Sequence, residues 1–324
     1  MKAIVCHDFA PIDELRYEEI DSPTARRGEV VIDVEAAGVN FPDGLLVQGL
    51  YQMRPDLPFV PGGEVCGTIS SIGEDVKNLE LGQRVIGICQ LGGFAEHVAL
   101  PAEHTIPIPD KIASDEAAAL TTAYATAHHA LKQRAALKEN ETVLVTGASG
   151  GTGLAAVQIA KAMGAKVIAA CSTDEKCALA KQYGADILVN YNTSDLKDTI
   201  KDLTRGKGVD VVYECVGDDI FAACTRVIAW AGRLLVIGFA SGHIPKFPVN
   251  LALVKGYSVI GVFWSSFAQH EPQLFAENMK ELLGWYLDGT IRVHIDRRFT
   301  LDQTVEALDY VNQRLVKGKV VVIP

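Results

Sequence analysis

From Thr142 onward, short apolar segments alternate with helical segments, and this alternation constrains the fold more than any other feature of the sequence. Strands are predicted at 142–146, 166–170, 187–189, 209–213, 233–237 and 257–262, and helices at 152–163, 174–183, 194–204 and 218–229. Short apolar strands that alternate with helices in this way form stacked βαβ units. The pattern therefore predicts an α/β protein with a doubly wound parallel sheet.

The residues before this region predict a different module. Up to about Ile112 the chain is interrupted every few residues by Gly, Pro, Asp or Asn, which is typical of a β-rich, barrel-like module. After Val262 the sequence predicts a helix, a strand, a helix and a last strand, at 272–287, 291–295, 301–315 and 319–323. These residues are too few for a third domain, so we expect them to complete the first module. The predicted domains are 1–118 together with 263–324, and 119–262.

Charge and composition exclude several classes of partner. Thirty Lys and Arg against 40 Asp and Glu give a net charge of −10, which disfavours binding to nucleic acid and to anionic membrane surfaces. No apolar run approaches the roughly 20 residues of a membrane-spanning helix, and the first residues do not resemble a signal peptide. Seven scattered cysteines, with no C-x-x-C pair, fit a reduced compartment. We expect a cytoplasmic protein.

A glycine-rich segment lies between the first strand of the alternating region and its first helix. Aligned with the pattern G-x-G-x-x-G, it reads Ala148-x-Gly150-x-x-Gly153. Such a turn lets backbone N–H groups approach a pyrophosphate, whose charge the helix dipole stabilises. Glycine turns also arise for packing reasons, but here the strand, the helix and the second strand of the motif are all present. We predict a dinucleotide site at Ser149, Gly150, Gly151, Thr152 and Gly153.

The end of the second predicted strand distinguishes between the two nicotinamide cofactors. NAD-binding proteins usually place an acidic residue there, which binds the ribose 2′-hydroxyl. This chain has Ser172 and Lys176, whose hydroxyl and ammonium suit a 2′-phosphate, so NADPH is favoured. Asp174 and Glu175 also lie nearby, but acidic residues are common in the first turn of a helix after a Ser or Thr cap.

At this point the sequence resembles a known family. The pattern Asn-Glu-x-x-Leu-x-x-x-Ala-Ser-Gly-Gly-Thr-Gly-x-x-x-x-Gln-x-x-Lys at 140–161 is similar to the signature of the quinone oxidoreductase (zeta-crystallin) branch of the medium-chain dehydrogenases/reductases. The resemblance extends over essentially the whole chain, including 38–43, 61–64, 93–96 and 318–320. It implies a GroES-like catalytic domain made from both chain ends, a central Rossmann domain and a cofactor cleft between them.

The resemblance also bears on metal binding. Alcohol dehydrogenases of the same superfamily bind catalytic zinc through Cys and His residues, and the matching positions here are Asn40, Gly63 and the region of Ala118 and Ala119. None of these can ligate zinc. We therefore expect no metal, and hydride transfer to a conjugated acceptor without a Lewis-acid ion.

Three residues of the first module are candidates for catalysis because of the resemblance. Tyr51 matches an active-site tyrosine of this branch and of enoyl thioester reductases, and a phenol can donate a proton to a developing enolate; its alternative role is a packed aromatic. Asn40 and Asp43 match polar residues near the nicotinamide and substrate. Their segment, Asn40 to Gly44, is also a strong turn composition in its own right.

The resemblance implies further contacts to the cofactor. They are Asn40, Thr126, Tyr191, Gly238, Phe239, Phe263 and Lys319. Each also has a structural explanation, and for Phe263 this is core packing. The family further implies a homodimer in which the strand at 257–262 extends the sheet across a two-fold axis.

The function expected from these features is NADPH-dependent reduction of a quinone or an α,β-unsaturated carbonyl, with Tyr51 as proton donor and Asn40 as orienting group. A first alternative is reduction of an enoyl thioester such as an enoyl-CoA, because 48–51 and 261–264 resemble segments of enoyl reductases. A second alternative is a structural protein that binds NADPH with little turnover, as some members of the branch do.

Overall fold

Two large sheets, one parallel and one mixed, organise residues 1–324, all of which the computed structural model describes. The strands are β1 (Lys2–Val5), β2 (Arg16–Glu19), β3 (Glu29–Val39), β4 (Glu64–Ile72), β5 (Arg84–Ile88), β6 (His97–Pro101), β7 (Thr105–Pro107), β8 (Thr142–Thr146), β9 (Lys166–Cys171), β10 (Ile187–Asn190), β11 (Val209–Glu214), β12 (Ile228–Val236), β13 (Ser258–Gly261), β14 (Ile295–Thr300) and β15 (Lys319–Ile323). The helices are α1 (Phe41–Val47), α2 (Ser114–His129), α3 (Gly151–Ala162), α4 (Asp174–Gln182), α5 (Leu196–Leu203), α6 (Asp218–Cys224), α7 (Asn250–Lys255), α8 (Trp264–His270), α9 (Pro272–Leu287) and α10 (Thr304–Asn312). Contacts divide the chain into unit 1, Met1–Thr122 with Val293–Pro324, and unit 2, Ala123–Arg292.

The sheet of unit 2 is parallel throughout. Its strand order is β10-β9-β8-β11-β12-β13, so the first strand of the unit lies in the middle and the chain winds outward in both directions. This is the order of a Rossmann sheet, and it confirms the predicted doubly wound fold. Leu144 on β8 lies opposite Ile168 on β9 and Val212 on β11, and all three are buried. The order reverses between β8 and β11, where such sheets bind ligands at their carboxyl ends.

Unit 1 is β-rich, as predicted. Its seven-stranded sheet has the order β14-β15-β3-β4-β5-β7, with β6 also paired to β3, and β1 and β2 form a separate antiparallel pair. All neighbours in the large sheet are antiparallel except β14 and β15. The predicted last strand is β15, whereas the strand expected at 291–295 lies at Ile295–Thr300.

A short helix, α1, stands where the composition of the sequence suggested a turn. The carboxylate of Asp43 accepts a hydrogen bond from the backbone N–H of Asn40 at 2.7 Å, which satisfies a donor at the start of the helix. Pro42 lies in the first turn, where the N–H that it lacks has no helical partner. Leu46 and Val47 are buried and anchor the other end of the helix in the core of unit 1.

The boundary between the units differs from the predicted one. The prediction assigned 263–324 to the first module, whereas residues up to Arg292 group with unit 2. Helix α9 has the bounds that the sequence predicts. It groups with unit 2 because its polar side chains bond to the end of α2 and to the residues that directly follow α2. Glu281 bonds to Nε2 of His128 at 2.8 Å, and the side-chain amide of Gln133 donates to Asn278 at 3.0 Å.

No helix of the structure is long and apolar enough to cross a membrane. The cytoplasmic location remains a prediction.

Candidate active site

The glycine loop of unit 2 follows directly from β8. Gly147 has a φ of +57°, a left-handed conformation that favours glycine. At Gly153 a Cβ atom would lie 2.2 Å from the carbonyl oxygen of Gly147, so no other residue fits there without moving the backbone. Gly150 differs from both. Its φ is −79°, and a Cβ atom would meet only the Gly147 oxygen, at 3.4 Å. The shape of the loop thus depends on Gly147 and Gly153, while Gly150 keeps the approach to helix α3 open.

The loop presents backbone donors at the start of α3. No side chain caps this helix, and the first N–H groups of a helix have no partner within it. Together with the helix dipole they form an anion site. The hydroxyl of Thr152 bonds to the hydroxyl of Tyr213 and to the carbonyl of Ala123, so Thr152 can contribute to that site only through its backbone. Ser149 is buried and bonds to Cys171 at the end of β9.

Several predicted cofactor residues lie along one edge of the parallel sheet. Ser172 follows β9, Tyr191 follows β10, and Gly238 and Phe239 lie just after β12. The carboxyl ends of parallel strands meet at the same edge, so the structure brings these residues to the edge that carries the glycine loop.

Polar contacts near Ser172 explain the acidic residues beside it. Thr173 caps α4 and accepts the backbone N–H of Lys176 at 3.2 Å. The carboxylate of Asp174 accepts a hydrogen bond from the side chain of Asn190 at 2.7 Å. Asp174 and Glu175 thus lie in the first turn of α4 behind a threonine cap, as the structural explanation of this acidic pair predicted, and Asp174 also bonds to the neighbouring strand.

Two other predicted contacts lie on different elements of unit 2. Thr126 is half-buried within α2, and Phe263, 51% exposed, precedes α8. Phe263 is therefore not a core residue. The roles of both in cofactor binding remain predictions.

In unit 1, three side chains form one hydrogen-bonded cluster at the adjacent ends of β3, β4 and β15. The ammonium of Lys319 donates to Oδ1 of Asn40 at 2.6 Å, to Oε1 of Glu64 at 2.8 Å and to the carbonyl of Val39 at 3.2 Å. Nδ2 of Asn40 donates to the same Oε1 of Glu64 at 2.8 Å. We call Asn40, Glu64 and Lys319 the amide clamp.

The charges of the amide clamp are buried and fully engaged. Glu64 is 0% exposed and Lys319 4%. The second oxygen of Glu64 accepts the backbone N–H of Thr122 at 2.6 Å. A Cβ atom at Gly38 would lie 2.0 Å from Oε1 of Glu64, so this position of β3 must be glycine for the carboxylate to fit. Three acceptors thus engage the three N–H groups of the Lys319 ammonium. The role of Lys319 in cofactor binding, which the resemblance implies, remains a prediction.

The charges of the amide clamp influence the pKa of Asp43, and the charge of Asp43 influences the pKa of Tyr51. Burial raises the pKa of Asp43 to about 7, and Glu64 adds to this shift, whereas the hydrogen bond from Asn40 and the charge of Lys319 oppose it. Burial also raises the pKa of Tyr51, to which the charge of Asp43 contributes. Tyr51 packs, partly buried, against the core of unit 1. Both groups are thus held toward their protonated forms.

Two buried carboxylates, Glu64 and Glu214, were not among the site residues predicted from the sequence. Glu64 was noted only as part of a family segment, although its position directly after Gly63 was a usable signal. Glu214 ends β11 at the reversal of strand order, where one oxygen accepts the N–H groups of Val216 and Gly217 at 2.8 and 2.9 Å. Burial raises the pKa of Glu214, and its other oxygen has no hydrogen-bond partner. No motif in the sequence pointed to it.

The residues of unit 1 do not fit a catalytic zinc ion. Three positions match the zinc ligands of related enzymes. The first carries the amide of Asn40, the second is Gly63, which has no side chain, and the third is occupied by alanines. Two carboxylates lie beside them. Glu64 is already bonded to an ammonium and two N–H groups, and Asp43 accepts the backbone N–H of Asn40. No group of three or more His, Cys, Asp or Glu side chains in the structure is arranged to hold a metal ion.

Comparisons with known proteins agree with these two units. Residues 26–110 match the family model described as "Alcohol dehydrogenase GroES-like domain", and residues 151–282 match the one described as "Zinc-binding dehydrogenase". The chain is 41% identical to quinone oxidoreductase-like protein 2 of Bos taurus, over 94% of this chain and 87% of that protein.

Solved structures extend the comparison. The Escherichia coli quinone oxidoreductase complexed with NADPH superposes with a TM-score of 0.93 at 28% identity and covers 100% of both chains. The CurK enoyl reductase superposes with a TM-score of 0.90 at 27% identity, covering 99% of this chain and 98% of that one.

A GroES-like module combined with a Rossmann module defines a medium-chain dehydrogenase/reductase, and the predicted GroES-like fold of unit 1 is thereby confirmed. Within this class, the chain belongs to the quinone oxidoreductase family, in a branch whose zinc-ligand positions carry other residues.

Proposed function

We propose that this chain is an NADPH-dependent oxidoreductase that reduces a quinone or an α,β-unsaturated carbonyl compound. The observation that carries the proposal is the uncapped start of α3 behind a glycine loop, at the reversal of strand order in a Rossmann sheet, in a member of the quinone oxidoreductase family. When bound, NADPH supplies a hydride from its nicotinamide ring.

Residues of unit 2 would hold the cofactor. The backbone N–H groups of Gly151, Thr152 and Gly153 would bind the pyrophosphate. The hydroxyl of Ser172 and the ammonium of Lys176 would bind the 2′-phosphate and so favour NADPH over NADH. The bond between Asp174 and Asn190 supports this preference, because it engages one of the two carboxylates that follow Thr173 and could otherwise bind a ribose 2′-hydroxyl.

Residues of unit 1 would act on the substrate. Hydride addition leaves negative charge on an oxygen, which becomes an enolate or a hydroquinone anion. The second N–H of the Asn40 amide would donate to that oxygen. Tyr51 would supply the proton, since its raised pKa keeps the phenol protonated at neutral pH. Asp43, with a pKa of about 7, would hold a proton near Tyr51.

The same family membership supports a homodimer. Strand β13 lies at the edge of the parallel sheet, and an uncovered edge favours pairing with another strand. Large apolar side chains near it are exposed: Val259 at 37%, Val254 at 67% and Leu253 at 82%. We propose that a second copy of the chain pairs with β13 and covers these side chains.

Enoyl thioester reduction is the second candidate, favoured by the similarity to the CurK enoyl reductase. Loss of NADPH absorbance distinguishes the candidates when purified protein is assayed in parallel with 1,4-benzoquinone, a simple enone and crotonyl-CoA, with NADH as control. Turnover with quinone or enone and little with crotonyl-CoA is the expected result. A large preference for crotonyl-CoA would reassign the substrate. Binding of NADPH without turnover of any of the three would indicate a protein that binds the cofactor without catalysis.

A further inference from the structure

The amide clamp holds the side chain of Asn40 by both of its polar atoms. Its oxygen accepts from the ammonium of Lys319, and its nitrogen donates to the carboxylate of Glu64. If the amide rotated by half a turn, its N–H groups would face the ammonium and its oxygen would face the carboxylate. Both contacts would then be repulsive, so the charges of the clamp permit only one orientation of this amide.

We propose that Glu64 and Lys319 are positioning residues that act through Asn40, by fixing its amide so that the one remaining N–H is the donor offered to the substrate oxygen. The inference rests on the proposed function and assigns a role to two residues that cannot reach a substrate themselves. Glu64 and Lys319 are 0% and 4% exposed, whereas Asn40 is only partly buried.

The cost of the arrangement argues for a role beyond packing. Removing two charges from water costs several kcal/mol per ion, and apolar residues of similar volume often replace such a pair without loss of stability. Here the surrounding chain is also adapted to the pair: Gly38 leaves space for the carboxylate, and the backbone N–H of Thr122 satisfies its second oxygen. A fixed amide direction is what this arrangement provides and apolar packing does not.

Lys319 is the better residue for the test, because the resemblance to the family implies a different role for it, in cofactor binding. A double-mutant cycle uses Asn40→Ala, Lys319→Met and the variant that carries both substitutions. The measured quantities are kcat and KM for 1,4-benzoquinone and the dissociation constant of NADPH from its fluorescence change. Lys2→Met is the matched control, since Lys2 forms a surface ion pair with Glu19 in the same unit.

We expect Lys319→Met to lower kcat by about tenfold, the equivalent of one hydrogen bond to a charged group, with the NADPH dissociation constant unchanged. In the Asn40→Ala background the same substitution should have no further effect on kcat, because the residue through which Lys319 acts is gone. Equal losses of kcat in both backgrounds would overturn the proposal. A weaker affinity for NADPH in both backgrounds would also overturn it and return Lys319 to the cofactor.

Two additions keep the test decisive. If Lys319→Met does not fold, Glu64→Gln combined with Lys319→Met leaves no unpaired buried charge and takes its place in the cycle. A neutron crystal structure of the variant is independent of activity and distinguishes the amide nitrogen of Asn40 from its oxygen. A rotated or mobile Asn40 amide supports the proposal, and an unchanged amide contradicts it. If the wild-type protein does not oxidise NADPH with any acceptor, the proposed function fails, and this structural comparison still decides whether the two charges fix the amide.

Discussion

The glycine loop of unit 2 and the amide clamp of unit 1 are built in opposite ways. The loop offers backbone N–H groups from one continuous segment, and its shape depends on two glycines that exclude a side chain. The clamp consists of three side chains separated by 24, 255 and 279 residues in the sequence, and its shape depends on two buried charges. A local backbone site can be recognised as a motif, whereas a site assembled by side chains from distant strands becomes visible only in the folded chain.

The largest expected effect tests the charges of the clamp. Glu64→Gln should lower the free energy of unfolding by about 3–5 kcal/mol, because it leaves the buried ammonium of Lys319 without a counter-charge. Chemical denaturation measures this difference, with Glu19→Gln as the control on an exposed ion pair, where the expected change is below about 1 kcal/mol. Equal effects of the two substitutions would show that the buried pair contributes no more than a surface pair.

Tyr51→Phe tests the proton donor of unit 1. It should lower kcat for an enone by about a hundredfold, because the enolate loses its general acid. The effect on 1,4-benzoquinone should be much smaller, since a hydroquinone anion can take its proton from water. Steady-state assays with both acceptors measure the ratio. An equal loss with both would assign Tyr51 to packing or substrate binding rather than to proton transfer.

Two glycines of the loop should respond differently to alanine. Gly153→Ala should destabilise the protein by about 1–3 kcal/mol, because its Cβ atom overlaps the backbone of Gly147. Gly150→Ala should leave stability nearly unchanged, because its Cβ atom meets only the Gly147 oxygen, at 3.4 Å. It should weaken NADPH binding by about tenfold, because the methyl group would narrow the proposed pyrophosphate site. Thermal melting and NADPH titration separate the two effects.

Gly284→Ala is the control for this pair, since nothing lies within 4 Å of its Cβ position in α9. It should leave the affinity for NADPH unchanged and raise the melting temperature slightly, because alanine favours a helix interior by about 0.5–1 kcal/mol over glycine. Weaker NADPH binding after Gly284→Ala, or unchanged binding after Gly150→Ala, would remove the loop from the cofactor site.

Asp43 gives a pH-dependent comparison. Its pKa in the folded protein, about 7, lies above the ordinary value of 3.8 in the unfolded chain, so the folded state binds this proton more tightly. The contribution of Asp43 to stability is therefore fully present below about pH 4 and is lost as the pH rises toward 7. Asp43→Asn keeps an acceptor for the Asn40 N–H and removes the titration.

We expect the melting temperature of Asp43→Asn to rise relative to wild type as the pH increases from 5 to 8. Differential scanning calorimetry at several pH values measures this trend. A constant difference across that range would mean that Asp43 is already ionised in the folded protein at pH 5.

The parallel sheet could be predicted from the sequence, because short apolar strands and helical segments alternate along the chain and each is recognisable from its own residues. The sequence predicted the glycine loop for the same local reason. It suggested a turn where helix α1 forms, since the hydrogen bond from Asn40 to Asp43 and the burial of Leu46 become apparent only in the fold. The observed boundary of unit 2 lies at Arg292 rather than at the predicted residue 262. The reason is that α9 bonds to residues 153 and 145 positions earlier in the sequence.

The role of Lys319 could not be read from the sequence for a related reason. A lysine at the start of a strand is compatible with a phosphate, a cofactor amide or a buried carboxylate. Only the position of Glu64, on a strand that pairs with β3 rather than with β15, decides between them.

The most direct test of the central claim is a single turnover of the purified protein. The protein is loaded with less than one equivalent of NADPH, mixed rapidly with 1,4-benzoquinone, and followed by the loss of nicotinamide absorbance. We expect the bound NADPH to be consumed completely and much faster than free NADPH under the same conditions. A rate no greater than that of the protein-free reaction would contradict hydride transfer to quinones by this chain.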